Sequence, residues 1–142
     1  MTSAKSALLL LINTALLFAV GWAAYWGYLA TIWHADLLKI SFIILPAYFL
    51  TGFGLSLGLV SEDLADDVAE RLPMIALMGT VAGMIIIFGA IGSVNIGNAG
   101  DIKNLLPPIL KGGASAMYPT LLGIAGSNLL WLQLLIRRRW GA

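Results

Sequence analysis

The chain has 142 residues, 60% of them hydrophobic and 11% charged, with a net charge of +1 and a mean hydropathy of +0.93. A soluble domain carries roughly 25% charged residues, so the composition excludes a water-soluble globular protein and points to a single membrane domain over residues 1–142. The absence of cysteine removes disulfides, thiolate metal sites and cysteine nucleophiles, and no basic patch interleaved with aromatics suggests nucleic acid.

Four stretches carry no charge: residues 6–33 (28 residues), 40–61 (22), 72–100 (29) and 112–136 (25). A helix crossing the hydrocarbon core needs roughly 20 apolar residues, so each run suffices for one crossing and none for two. The predicted spans are 7–32, 40–60, 72–94 and 108–136. The first run follows Lys5 as a secretory signal would. A signal's apolar region is only about 7–15 residues long, and the run here is about twice that, so it reads as a retained span. Hydrocarbon forces every backbone polar group to pair within the protein, which leaves helices or a closed barrel. Residues 7–12 and 84–88 do not alternate as barrel strands do. The expected fold class is therefore all-α, a polytopic four-helix membrane subunit.

Lys and Arg set the orientation. With four spans, Lys5, Arg71, Arg137, Arg138 and Arg139 share one side, against Lys39, Lys103 and Lys111 on the other. Both termini are predicted to be cytoplasmic, with the three terminal arginines as a topology anchor. The aromatics Tyr25, Trp26, Tyr28 and Trp33 gather at the outer end of the first span, as an interfacial belt would. A short acidic cytoplasmic loop is expected at 61–71, carrying Glu62, Asp63, Asp66, Asp67 and Glu70. There Ser61 followed by two acids reads as a helix N-cap. The loop is taken as a solvated acidic turn rather than a metal or partner site. His34 reads as a solvated interfacial residue, and Lys111 as a side chain reaching for the headgroups.

None of the four runs contains Asp, Glu, Lys, Arg or His. A transporter working alone usually holds a titratable group at mid-membrane, so any proton conducted here needs a titrating group from water or from another protein. What the runs do hold is small and hydroxylated residues. Gly79 and Gly83 form a small-xxx-small pair, and Gly52, Gly54, Ser56 and Gly58 cluster in the second span. Ala116, Thr120, Gly123 and Ser127 recur every three or four residues and so share a helical face. Thr80 lies nine residues beyond Arg71 and Thr120 nine beyond Lys111. At ~1.5 Å per residue each is about 13 Å deep, on helices running in opposite directions. In a core ~30 Å thick both hydroxyls reach the midplane, within roughly 4 Å of one depth. Pro119 lacks an N–H and so frees the Ser115 carbonyl near the same level.

At these residues a resemblance appears. Leu72-Pro73 followed by Met78-Gly79-Thr80-Val81-Ala82-Gly83-Met84 resembles the third-helix motif of the MotA/TolQ/ExbB proton channel family. Residues 106–127, with Thr120-Leu121-Leu122-Gly123-Ile124, are similar to the family's last conserved helix. The resemblance covers residues 72–135. It implies a pentameric ring in the bacterial inner membrane. That ring would surround two copies of a single-span partner of the MotB, TolR or ExbD type, whose helix carries the essential Asp. The transported ion would be H⁺, with Na⁺ open, and no cofactor, metal or enzymatic activity is implied. By position Thr80 and Thr120 inherit the role of facing that Asp, with Ser115 and Ser127 as further pathway candidates. Gly79, Gly83, Ala116, Gly123, Pro73 and Pro119 are expected to pack helices or face the partner. Two departures stand out. Ser115 occupies the position, five residues before the last threonine, where ExbB- and TolQ-like members often carry Glu. Only the eleven residues 61–71 stand in place of the usual large cytoplasmic domain, so the chain looks like a minimal stator core. The alternative is a holin-like or structural pore former, since short apolar chains with basic ends serve that task too.

Overall fold

The computed structural model describes residues 3–36, 38–93 and 99–139. Five helices account for nearly all of them: α1 (Ser3–Tyr25), α2 (Tyr28–Ala35), α3 (Ser41–Leu57), α4 (Glu62–Gly92) and α5 (Ala99–Arg139). The all-helical expectation holds among the described residues, but boundaries differ: the fourth predicted span, 108–136, lies inside the longer α5, and three further differences follow.

The first predicted span, 7–32, is two helices. Gly27 adopts a left-handed conformation (φ +80°) that ends α1, and its N–H bonds the Ala24 carbonyl. A residue with a Cβ tolerates that conformation poorly. The rings of Trp22, Tyr25 and Trp26 cluster just before this break, with centroids 6.1–6.4 Å apart. The short α2 follows, with His34 exposed in its last turn. Asp36 is buried, and its Oδ2 accepts the Ser41 N–H at 2.7 Å, capping α3. Lys39 lies over the Trp33 ring, 4.5 Å from its centroid, and Trp33 meets Phe42 edge-on.

Three helices are long and apolar enough to cross a membrane: Ala4–Tyr25, Glu62–Gly92 and Lys103–Arg139. The second expected span is α3, whose 17 residues extend only about 26 Å, less than the ~30 Å hydrocarbon core. Three of the four expected spans thus correspond to helices of full spanning length, and α3 falls at the short end of the range.

α3 ends in a glycine cap. Gly58 is left-handed (φ +75°), its N–H reaches the Leu55 carbonyl, and the Leu59 N–H bonds the Gly54 carbonyl at 2.8 Å. This is the Schellman pattern that satisfies terminal carbonyls. α4 then starts at once. The Ser61 hydroxyl accepts the Leu64 N–H at 3.2 Å, as its N-cap reading expects, with Glu62 and Asp63 in the first turn. The loop predicted at 61–71 is thus the opening turns of α4, whose apolar span continues the same helix without a break. The third span's predicted end at 94 lies outside the described residues.

The acidic turn is paired, not merely solvated. Glu62 bridges Arg137 at 3.0 Å and Arg138 at 3.5 Å, and Asp66 bridges Arg138 at 3.0 Å. Arg137 also donates to the Leu55 carbonyl at 2.6 Å. One guanidinium therefore sits at the C-terminus of α3, where the helix dipole favours a cation, and pairs with an acid that the dipole favours at the N-terminus of α4. The arginines act inside the fold as well as at its edge.

α4 and α5 form an antiparallel pair along most of their length, and α3 lies across both. The main core joins Ile40, Ile44 and Tyr48 of the α3 segment to Ala69, Leu72 and Ala76 of α4 and Leu130 of α5. A smaller cluster of Leu55, Ala65 and Leu134 sits beneath the α3–α4 turn. α1 packs mainly on α3 and leaves most of its surface open.

Replacing Arg137 with Gln should destabilise the purified protein by about 1–2 kcal/mol, in line with a partly buried cation at a helix end. Arg139→Gln, at an exposed position, should change little. Thermal unfolding in detergent measures both, and equal midpoints for the two variants would contradict the cap.

Candidate functional site

Glycine brings α4 and α5 together. A Cβ on Gly83 would fall on the Gly112 carbonyl oxygen and on Ala116, and one on Gly123 on the Ala76 methyl and the Leu72 carbonyl. A Cβ on Gly79 would sit 2.6 Å from the Pro119 ring. The two backbones approach as closely as small residues permit, which is how helices associate where lipid supplies no hydrophobic drive. Gly79, Gly83, Ala116, Pro119 and Gly123 therefore pack within the chain. Pro73 lies inside α4, half-buried.

This approach sets the threonines face to face. Thr80 Oγ1 and Thr120 Oγ1 are 2.6 Å apart, and Thr120 Oγ1 lies 2.8 Å from the Ala116 carbonyl. A hydroxyl has one proton to give and two lone pairs to receive. When Thr120 donates to Ala116, Thr80 donates to Thr120 and keeps both lone pairs. When Thr80 turns its proton outward, Thr120 can donate to Thr80 instead. The pair is thus a two-position hydrogen-bond chain, able to accept from a protonated carboxyl or to donate to a carboxylate.

Both threonines are half-buried, at the rim of the seam. One helical turn away on the same faces stand Leu77 and Met84 of α4 and Met117 and Ile124 of α5, all exposed. Two hydroxyls in an apolar collar form a surface suited to a helix with one polar group. Ser115 and Ser127 differ: both are buried inside the chain and do not reach this surface. Ser115 contributes its carbonyl to the seam beside Gly79. Lys111, nine residues before Thr120, and His34 are both exposed. No group of acids and histidines able to hold a metal occurs among the described residues.

Reading the runs for charge misses a second polar cluster. Asn13 of α1, Tyr48 and Ser56 of α3 and Gln133 of α5 are all buried. Asn13 Nδ2 lies 3.0 Å from Gln133 Oε1 and from Ser56 Oγ, and Gln133 Nε2 donates back to Asn13 Oδ1 at 3.0 Å. The signal was available: Asn13 is the only amide side chain in residues 6–33, and Gln133 the only glutamine in the chain.

The model of the MotA/TolQ/ExbB proton channel family matches residues 45–137. No curated relative and no solved structure matches the chain. The matched segment begins in α3 and takes in all of α4 and nearly all of α5, so it contains the seam and both threonines. The chain belongs to the MotA/TolQ/ExbB proton channel family, an integral membrane family of ion channels in energy-transducing complexes rather than of enzymes.

A valine at Gly83 should force the seam apart, with an overpacking cost of about 1–3 kcal/mol. Gly89→Val, where a Cβ meets nothing within 4 Å, is the control. Thermal unfolding of both variants in detergent checks this, and tolerance of Gly83→Val would contradict the close approach.

Proposed function

We propose that this member of the MotA/TolQ/ExbB family is the proton-channel, stator-type subunit of an ion-driven motor. Family members work with partners of the ExbD, TolR or MotB type in oligomeric complexes. In this reading several copies, five by family analogy, ring two single-span partner helices in the bacterial inner membrane, with both termini cytoplasmic.

The observation that carries the reading is the Thr80–Thr120 pair. It is a hydroxyl couple 2.6 Å across, on an apolar face, in uncharged runs without Asp, Glu, Lys, Arg or His. A carboxylate at mid-membrane costs about 3 kcal/mol to keep ionised. A partner Asp passing this face in its charged form gains a hydrogen bond from Thr80. Once protonated it loses its charge, donates to Thr80 instead, and moves on into the apolar collar. Proton occupancy is thereby tied to helix position, and a gradient across the membrane turns that tie into directed motion. Thr80 nearest the acid and Thr120 behind it hold the proton chain, and Ala116 takes the spare proton of Thr120.

In vesicles holding the chain with its acid-bearing partner, Thr80→Val and Thr120→Val should each reduce proton flux at least tenfold, equivalent to about 1.4 kcal/mol. Insertion and assembly should be unchanged, and Thr80→Ser should retain flux. Without the partner the wild-type chain should hold a membrane potential, whereas a free pore former would collapse it. Wild-type flux in both valine variants would overturn the reading.

A further inference from the structure

We propose that the Asn13–Tyr48–Ser56–Gln133 cluster is a positioning lock that fixes the rotation of α5 and so aims Thr120 at Thr80.

The four side chains close on one another. The amides of Asn13 and Gln133 face each other reciprocally, each nitrogen 3.0 Å from the other's oxygen. Tyr48 OH accepts from Gln133 Nε2 at 2.9 Å and donates to Asn13 Oδ1 at 3.2 Å. Ser56 Oγ receives from Asn13 Nδ2 and donates to the Gly52 carbonyl at 2.7 Å. Asn13 Nδ2 also lies 3.0 Å from the Leu9 carbonyl. Every polar atom of the cluster is paired, and every residue in it is at most 4% exposed. Gly52 makes the room, since a Cβ there would stand 2.6 Å from Asn13 Oδ1.

Such a cluster is expensive to misalign. An amide left without partners in an apolar setting costs several kcal/mol, so few orientations of α1, α3 and α5 satisfy all four residues together. Apolar packing alone would be more forgiving, because lipid tails compete equally for leucine surfaces. Among the described residues this cluster is also the only set of side-chain hydrogen bonds joining α1 to α5.

The lock acts on the helix that carries Thr120. Gln133 lies 13 residues beyond Thr120. At about 100° per residue it projects about 140° around the helix from Thr120. The cluster grips the back of α5 while the small-residue face meets α4. Rotation of α5 that would swing Thr120 off Thr80 must break the amide pair. The link to ion flow rests on the proposed role of Thr120, but the aiming itself does not.

The absence of cysteine gives a clean test in the full chain, in membranes, without a partner. Thr80→Cys and Thr120→Cys are introduced together and oxidised with diamide, and the disulfide is scored by protection of both thiols from maleimide. With the cluster intact the bond should form readily. In the Asn13→Leu/Gln133→Leu background it should form about tenfold more slowly, since a disulfide requires Cα atoms within about 7 Å and aligned Cβ vectors. Insertion, scored by protease protection, should be unchanged. Should that background fail to insert, Tyr48→Phe and Ser56→Ala each remove one hydroxyl with its two hydrogen bonds and should slow the reaction in the same direction. Restoring Gln133 alone should not recover the rate, and restoring both amides should. An unchanged rate in the double-leucine background, or in both milder variants where that background fails to insert, would overturn the lock. Loss of flux in the threonine variants bears on the proposed function and not on this result.

Discussion

The backbones of α4 and α5 meet at Gly79, Gly83, Gly112 and Gly123 with almost nothing between them, and the rest of the molecule follows from that approach. Two helices held at this separation cannot slide past one another without driving a carbonyl or a proline ring into a neighbour. The depth of Thr80 and Thr120 is therefore set by the seam, while the proposed amide lock behind α5 holds the rotation that turns one toward the other. The 2.6 Å contact between the hydroxyls needs both the seam and that rotation. α3 then covers the α4–α5 pair around Leu72 and Leu130, and the Arg137 bridge ties its end to the start of α4. α1 joins last, through its amide.

Hydrocarbon treats the chain's two polar clusters by one rule, that unpaired polar atoms are costly, yet the clusters meet it in opposite ways. The amide cluster is closed: each donor has an acceptor, and nothing else is needed. The threonine pair is open: its protons can point two ways, and at least one hydroxyl oxygen keeps capacity for an outside donor. A closed cluster fixes geometry, and an open one at a surface can respond to a visitor. The chain has placed the first at the back of α5 and the second at its front edge.

Much of this could be read from residues alone, because membranes impose simple rules. Uncharged runs located three long helices, the Ser61-Glu62-Asp63 sequence marked the start of α4, and equal spacing from Arg71 and Lys111 put the two threonines at one depth. The motif around Gly79 and Thr80 pointed to the family that the matched segment shows. Other features were hidden for physical reasons. Hydropathy averages over a window and does not register one left-handed glycine, so the break at Gly27 was absorbed into the first span. Counting charges also separated the acids at 62–66 from the arginines at 137–138, because their pairing depends on the α4–α5 register. Searching for ionisable groups passed over Asn13 and Gln133, which carry no charge but obey the same pairing rule. Ser127 shared the spacing of the small face and Ser115 the position of a family Glu, but neither signal could tell a buried residue from one on the exposed rim.

The central claim is that the titrating carboxylate belongs to another polypeptide held against the Thr80–Thr120 face. The most direct measurement is the native mass of the particle purified from its own membrane, with its chains identified after dissociation. The account predicts several copies of this 15.1 kDa chain plus a second polypeptide with one apolar span bearing a single Asp or Glu. A particle made only of whole multiples of this chain, with no second polypeptide recovered under conditions that keep the ring intact, would contradict it.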